Sequence, residues 1–316
     1  LIIKSIVEVR VFSCAHTTMK QNIAIIGSGF SSLSAACYLA KAGHNVTVYE
    51  KNNSLGGRAR QFKAEGFTFD MGPSWYWMPD VFDKFFKDFG KKTSDYYSLK
   101  KLGPAYRVYF GSNDYIDIDD SPEKICETFE KIEKGSGEKL KKYLKIAKEN
   151  YQIGVTDMLY KMPGNSPLEL VSTKTIKRVR FFLANIRSDV RKDFKNPKLR
   201  SILEFPVLFL GAKASNTPAF YNFMNYADFG IGTFQPTNGF HDLVMAMVDL
   251  GKSLGVKYLT NQAITKIEIT DKKVNSITTN NEVIKCDMVL SGADYHHTES
   301  LLPFKSRQYS EKYWKS

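Results

Sequence analysis

The stretch IIGSGFSS (25–32) sets Gly27-x-Gly29 directly after an apolar run and puts Ser32 where a third glycine commonly completes the phrase. The residues leading into it, QNIAIIG (21–27), form a short isoleucine-rich run of strand character. On its other side, FSSLSAACYLAKAG (30–43) spaces Phe30, Leu33, Cys37 and Ala40 on one helical face, and Gly43 closes that helix. HNVTVYE (44–50) then alternates as a strand does. The order strand, glycine turn, helix, strand is a βαβ unit around a parallel sheet.

Inside such a unit the glycine phrase acquires a chemical meaning. Gly27 permits a tight turn, and Gly29 lets the backbone approach a pyrophosphate. The N–H groups at the helix start, residues 29–33, add partial positive charge. Ser32 meets a demand for smallness, since serine exceeds alanine by a single oxygen. Glu50 lies 21 residues past Gly29, where an acid accepts hydrogen bonds from adenosine ribose hydroxyls and repels a 2′-phosphate. NADP is thereby disfavoured. The continuation EKNNSLGGRAR (50–60) brings Gly56-Gly57, bare backbone that can lie against a dinucleotide, and Arg58, a fork donor to phosphate. This continuation favours FAD over NAD.

With 316 residues, 43% of them hydrophobic, the chain can fill two domains or one interrupted domain and is not of disordered type. Cys14, Cys37, Cys126 and Cys286 are scattered with no CxxC pair, which argues against a disulfide framework or a metal site and fits a reducing, cytosolic setting. The formal charge of +12 comes without a zinc-finger, RRM or basic-zipper pattern, so it points away from nucleic acid and toward an anionic membrane surface. Residues 1–18, LIIKSIVEVRVFSCAHTT, are too short and too charged to span a bilayer and are expected to be a non-native or disordered extension before Met19.

Further along, AYRVYF and YIDID flank GSND (111–114) as a hairpin with a four-residue loop. From Pro122 to about Arg200 the pattern is helical and lysine-rich. Lys174 to Arg200 carries ten Lys or Arg against Asp189 and Asp193, with Ile176, Val179, Phe181, Phe182, Leu183, Ile186 and Phe194 interleaved. Such a segment is either a solvated helical face or a basic amphipathic surface for anionic lipid. ILEFPVLFLGA (202–212), broken by Pro206, and AFYNFMNYADFGIG (219–232) read mainly as core, in a composition that an apolar channel also needs. GFHDLVMAMVDLGKSLG (239–255) is an amphipathic helix, and AITKIEI, VNSITT and EVIKCDMVLSGAD are successive strands ending at Asp294.

IIGSGFSSLSAACYLAKAGHNVTVYEKNNSLGGRA (25–59) and FTFDMGPSWYWMPDVFDKFF (67–86), with the 202–212 run, NYADFGIGTFQPTNGFHDLV (225–244) and SGADYHHTESLLP (291–303), resemble the bacterial-type phytoene desaturases, members of the wider amine-oxidase-like flavoproteins. The likeness spans nearly everything after Met19. It implies an α/β fold in which a Rossmann-type FAD-binding domain (19–100 and 237–300) is interrupted by a mixed α+β substrate and membrane-contacting domain (101–236). Residues 301–316 begin a further segment of the substrate domain.

It also implies a noncovalent FAD held by Gly27, Gly29, Ser32, Glu50, Gly56, Gly57 and Arg58, with Gly72, Pro73 and Ser74 near the isoalloxazine and Ile264 near adenine. Ser28, Phe30, Ser31, Lys51 and Asp294 complete the residues assigned to the cofactor, although Asp70 and Asp294 also read as caps of turns.

The implied reaction is stepwise desaturation of phytoene, a long apolar polyene, toward lycopene. The flavin takes a hydride from an allylic carbon, and a quinone or oxygen is the final acceptor. The implied location is cytoplasmic and peripheral to the membrane. Trp75, Tyr76 and Trp77 either line a hydrophobic tunnel or belong to the core. No catalytic acid or base is assigned, and His241, His296 and His297 are candidates by residue type alone. A carotenoid isomerase, a ketolase or a later-stage carotenoid desaturase shares the pattern. A flavin amine oxidase acting on a polar substrate and a non-catalytic membrane-peripheral scaffold are alternatives from other classes. The family's glycine-rich segment that closes over the flavin has no counterpart after Asp294, so the chain is expected to be C-terminally truncated.

Overall fold

The computed structural model describes residues 19–160, 172–280 and 282–315. The extension expected at 1–18, and Cys14 with it, lies outside the described residues. Strand Asn22–Ile26 (β1), helix Phe30–Lys41 (α1) and strand Asn45–Tyr49 (β2) come in the order the sequence predicts. β1 pairs in parallel with β2 on one side and with Met288–Ser291 on the other, and β2 pairs with Lys257–Leu259, which completes a four-stranded parallel sheet. Ile23, Ile25, Val46 and Val48 pack with Ala36 and Val256 on one face. Ala24, Ile26 and Tyr49 pack with Ile264, Ile267 and Ile277 on the other. Burial on both faces explains why β1 reads as a near-continuous apolar run with no polar alternation.

The described chain divides into two compact units. The first comprises the described residues up to Ser74, Lys84–Ser98 and those from Pro236 onward. It holds the parallel sheet and an antiparallel sheet of Ile264–Thr270, Lys273–Thr279 and Glu282–Lys285. The second comprises Trp75–Asp83 and Leu99–Gln235. Its core gathers Phe129, Leu140, Val190, Phe194, Leu199 and Phe229 beneath helices Pro122–Ile132 and Ser136–Tyr151. The architecture is mixed α/β, a Rossmann-type sheet with an additional unit inserted in the chain.

Three local expectations change. The hairpin of Tyr106–Gly111 and Asp114–Ile118 pairs Gly111 with Asp114, so its loop is the two residues Ser112 and Asn113. The 282–294 run is two strands that leave in different directions. Glu282–Lys285 stays antiparallel, and Met288–Ser291 joins the parallel sheet after a break at Cys286-Asp287. Reciprocal bonds between Asp287 and Asn22 fix that break, with Asp287 N donating to Asn22 O at 2.9 Å and Asn22 N donating to Asp287 Oδ2 at 2.7 Å.

The basic stretch is four short helices, Thr173–Ile176, Val179–Leu183, Ile186–Asp193 and Pro197–Glu204. Side-chain caps from Ser172, Asn185 and Asn196 restart three of them. Beyond Glu204, Pro206 removes an N–H and the chain tightens into the 3-10 stretch Phe205–Leu210. There Leu208, Phe209 and Leu210 are exposed, against the expectation of core. Among the described residues no helix is long and apolar enough to cross a membrane.

Candidate dinucleotide site

The glycine phrase leaves β1 at Gly27 (φ +82°), whose N–H donates to Tyr49 O at 2.8 Å. Gly29 is the N-cap of α1 and brings no side-chain cap, and the first turn, Phe30, Ser31 and Ser32, contains no acidic residue. An uncapped helix start is a ready place for an anion. Directly behind it lies Glu50, only 3% exposed. Its Oε2 accepts from Ser28 N at 3.0 Å and Ser28 Oγ at 2.6 Å, and its Oε1 accepts from Asn52 N at 3.0 Å and Asn52 Nδ2 at 2.7 Å. Four donors use all four acceptor positions of the carboxylate. A ribose hydroxyl would reach Glu50 only by taking the place of the Ser28 hydroxyl or the Asn52 amide.

The paired glycines close onto the same loop. Gly56 N donates to Ser28 O and to Ser28 Oγ, each at 3.1 Å. Gly57 has φ +57°, and a Cβ there would sit 3.0 Å from Gly29 Cα, so a side chain would be strained in its backbone and would press on the Gly29 backbone. Arg58 is exposed and forms no ion pair among the described residues, and Lys51 is exposed as well. Gly72 is pinned harder, for a Cβ on it would lie 2.1 Å from the Arg58 carbonyl oxygen. Met71 N donates to Arg60 O at 3.0 Å beside it, which lays Gly72, half-buried Pro73 and exposed Ser74 along the GGR turn. Ile264 is buried against Tyr49 and Ile26. The turn before it is tied to the acid's own segment, by Gln262 N to Glu50 O at 2.8 Å and Asn261 N to Asn52 O at 2.9 Å.

Two acids serve helix ends. Asp70 Oδ2 accepts from Phe240 N at 2.6 Å, at the start of helix His241–Ser253, while Asp70 Oδ1 is buried with no hydrogen-bond partner. Asp294 Oδ1 accepts from His296 N at 2.9 Å and His297 N at 3.4 Å and so caps Tyr295–Ser300. His241 Nδ1 lies 3.5 Å from Ala59 O. His296 and His297 are exposed, and His296 packs on Trp314 at 4.8 Å. None of these histidines is paired with a carboxylate among the described residues.

The residues present fit a diphosphate-linked dinucleotide. The helix start is uncapped, bare glycine backbone surrounds it, and the buried Ser32 Oγ beside it has no partner among the described residues. Asn52 and Gly292 were not legible as site residues. Asn52 carries half of the bonds to Glu50. Gly292 is small because Ser32 Oγ lies 1.9 Å from where its Cβ would be. The signals available were an asparagine two residues past the acid and a glycine closing the last parallel strand.

Within the second unit is a cavity of about 690 Å³. Trp75, Tyr106, Phe110, Ile202, Phe205 and Leu208 form its apolar walls, and Arg187 and Glu204 are among its charged members. Below Tyr106 lies Asp228, whose burial pushes its carboxyl up to about 7. Tyr76 is buried and bridges to Phe234, so of the three neighbouring aromatics it belongs to the core. Among the described residues no group of three potential ligands is placed to hold a metal.

The family described as flavin containing amine oxidoreductase matches residues 30–314. A carotenoid 3,4-desaturase of Haloarcula japonica is 37% identical over 299 residues, 93% of this chain and 60% of that protein. A 4,4′-diapophytoene desaturase (4,4′-diaponeurosporene-forming) of Staphylococcus haemolyticus is 30% identical over 90% of this chain and 58% of its own length. The chain thus spans about 60% or less of the curated relatives it matches. In fold, an oxidoreductase from Methanosarcina mazei matches with TM-score 0.59 at 20% identity, covering 93% of this chain and 64% of that one. A CLA-producing fatty acid isomerase from P. acnes matches with TM-score 0.56 at 19% identity, covering 92% and 63%.

Proposed function

The chain belongs to the flavin containing amine oxidoreductase family, with FAD as cofactor, and on that premise we propose that it is part of an FAD-dependent carotenoid desaturase acting on phytoene toward lycopene. The first unit holds the FAD, through the 27–32 loop, Glu50, the 56–58 turn and Gly72, and the second takes the substrate. Bound there, FAD supplies the acceptor for a hydride. The protein's part is to orient the polyene and to exclude water from it. The observation that carries this reading is the apolar cavity of the second unit, walled by aromatic and aliphatic side chains, which suits a substrate with no polar handle better than an amine. That the curated relatives are named as carotenoid desaturases supports the same choice.

A water-insoluble substrate is met at a membrane. The second unit exposes Ile176, Val179, Leu183, Leu208, Phe209 and Leu210, with the basic Lys177, Arg178, Arg180 and Lys213 on the same segments. This composition supports peripheral attachment to an anionic, cytoplasm-facing leaflet, with a quinone or oxygen taking the electrons onward. The test is anaerobic mixing of the FAD-loaded protein with phytoene in anionic liposomes. The oxidised-flavin band bleaches and a longer conjugated product forms. Bleaching by a polar amine and not by phytoene would overturn the assignment.

A further inference from the structure

Three rings of the second unit lie face to face. Trp75 stacks on Trp77 at 5.6 Å and on Tyr106 at 4.8 Å, with interplanar angles of 28° and 23°. Phe205 and Phe209 meet Trp75 edge-on at 5.3 and 5.5 Å, and Phe209 meets Trp77 edge-on at 5.2 Å. Both outer rings are tied to a single buried side chain. Tyr106 donates its hydroxyl to Asp228 Oδ2 at 2.5 Å. Trp77 Nε1 donates to Thr233 Oγ1 at 2.8 Å, and Thr233 Oγ1 donates to Asp228 Oδ1 at 3.3 Å. Asp228 is 2% exposed, so the acid acts only through these partners. Trp75 and Tyr106, held in this way, line the cavity.

Resting on the reading that this cavity takes the apolar substrate, we propose that Asp228 is a positioning residue, which clamps the Trp77–Trp75–Tyr106 stack so that the cavity selects chains with a conjugated segment over saturated ones. A conjugated segment is flat and stiff, offers a π-face to aromatic faces and edges, and gives up little freedom on binding. A saturated chain gains the same apolar contact but must be ordered bond by bond. The advantage of the flat chain exists only while the wall keeps one shape. A buried acid tied to both ends of the stack, directly to Tyr106 and through Thr233 to Trp77, supplies that constraint. Burial also favours its neutral form, in which one oxygen accepts from Tyr106 and the other shares a proton with Thr233 Oγ1, leaving no bare charge behind an apolar wall.

The test uses the FAD-loaded protein and two probes, parinaric acid, a conjugated C18 tetraene fatty acid read by energy transfer from tryptophan, and stearic acid, its saturated counterpart, read by displacement. Asp228→Leu and Tyr106→Phe are expected to weaken parinaric acid by roughly tenfold, the order of one lost buried hydrogen bond. Stearic acid should change by less than about twofold on the same basis. Asp228→Asn, which keeps an acceptor for Tyr106 and a polar contact to Thr233, restores the preference. Retained flavin absorbance and far-UV circular dichroism identify variants that stay folded, and Asp228→Asn against Tyr106→Phe decides the matter should Asp228→Leu not fold. Equal loss of both probes, no loss of either, failure of Asp228→Asn to restore the preference, or a wild type that binds neither probe overturns the proposal. Flavin bleaching by phytoene is measured separately, so the desaturase assignment stands or falls by its own result.

Discussion

Replacing Glu50 by glutamine changes one atom and should undo the first unit's cofactor cradle. The carboxylate accepts four hydrogen bonds, two at each oxygen, at 2.6 to 3.0 Å. In Glu50→Gln one oxygen becomes an NH2 group inside a site that is closed to solvent; the Ser28 hydroxyl or the Asn52 amide can turn to accept from it, but one backbone N–H, of Ser28 or of Asn52, is left facing another donor. A bond to a charged group contributes about 1.5–3 kcal/mol, so losing it costs about that much. For a chain of this size about 1 kcal/mol moves the melting midpoint by about 2 °C, which gives a fall of roughly 3–6 °C. FAD affinity should drop by about tenfold to a hundredfold, or about 1.4–2.7 kcal/mol, because one of the two acceptor oxygens open to the ribose is gone as well. Thermal melts with and without FAD, and titration of flavin fluorescence, read both quantities. Asn52→Ala, which removes one side-chain donor and keeps the acid, should lie well between wild type and Glu50→Gln. A Glu50→Gln protein melting within about 2 °C of wild type and binding FAD within about threefold would refute the reasoning from donors and acceptors.

Gly72→Ala drives a methyl group to 2.1 Å from a backbone oxygen that cannot swing away, and should cost about 1–3 kcal/mol with a matching loss of FAD, read by melts and flavin titration; an unchanged melt would show that the turn yields freely. Asp228 is protonated in the folded state at pH values where it is ionised in the unfolded chain, so the stability it contributes is full below about pH 4 and is lost as pH rises through about 7. Urea melts across that window should show wild type losing about 4 kcal/mol more than Asp228→Asn, and parallel curves would contradict the burial argument. Ser32→Ala removes a buried hydroxyl with no partner and should raise the melting midpoint of the flavin-free protein by about 1–3 °C, whereas a fall would mean that the hydroxyl is satisfied in solution.

The α/β class was legible because β1, α1 and β2 are each specified by residues a few positions apart, a buried apolar run, a helical stripe and an alternating strand. The strand break at Cys286-Asp287 was not, since nothing in EVIKCDMVLS marks it locally. It exists because Asp287 and Asn22 bind each other across the whole length of the chain. The helical character of the basic stretch was legible from its composition, but its division into short helices was not, because the Asn185 and Asn196 side chains offer the backbone an alternative partner and restart it. In the site, the placing of Glu50 beside the glycine loop was readable from spacing within one βαβ unit, but its bonds to Ser28 were not. Gly72 against Arg58 was not, because two loops meet there and neither names its neighbour. Asp228 did leave a trace, as a lone acid within the aromatic run AFYNFMNYADFGIG. An ionisable side chain among so many rings is costly to bury unless donors surround it, and Tyr106 and Thr233 are those donors.

The serine that ends the glycine phrase shows how such a departure is accommodated. The third position is small in dinucleotide folds because α1 must lie close to the strand before it. Ser32 is fully buried and carries one atom more than alanine, so the room has to come from somewhere else. It comes from Gly292, at the end of the neighbouring parallel strand, where any Cβ would overlap the Ser32 oxygen. Smallness has moved from one partner of the contact to the other, with the total volume roughly conserved, and cores tolerate that exchange best. The requirement therefore belongs to the pair. A side chain at 292 requires the Ser32 hydroxyl to turn away or to be lost, and the double change Ser32→Gly with Gly292→Ala should fold more stably than Gly292→Ala alone, which crowds the start of α1. Melting the two variants side by side decides it, and equal destabilisation of both would place the constraint on the backbone at 292 and not on the contact.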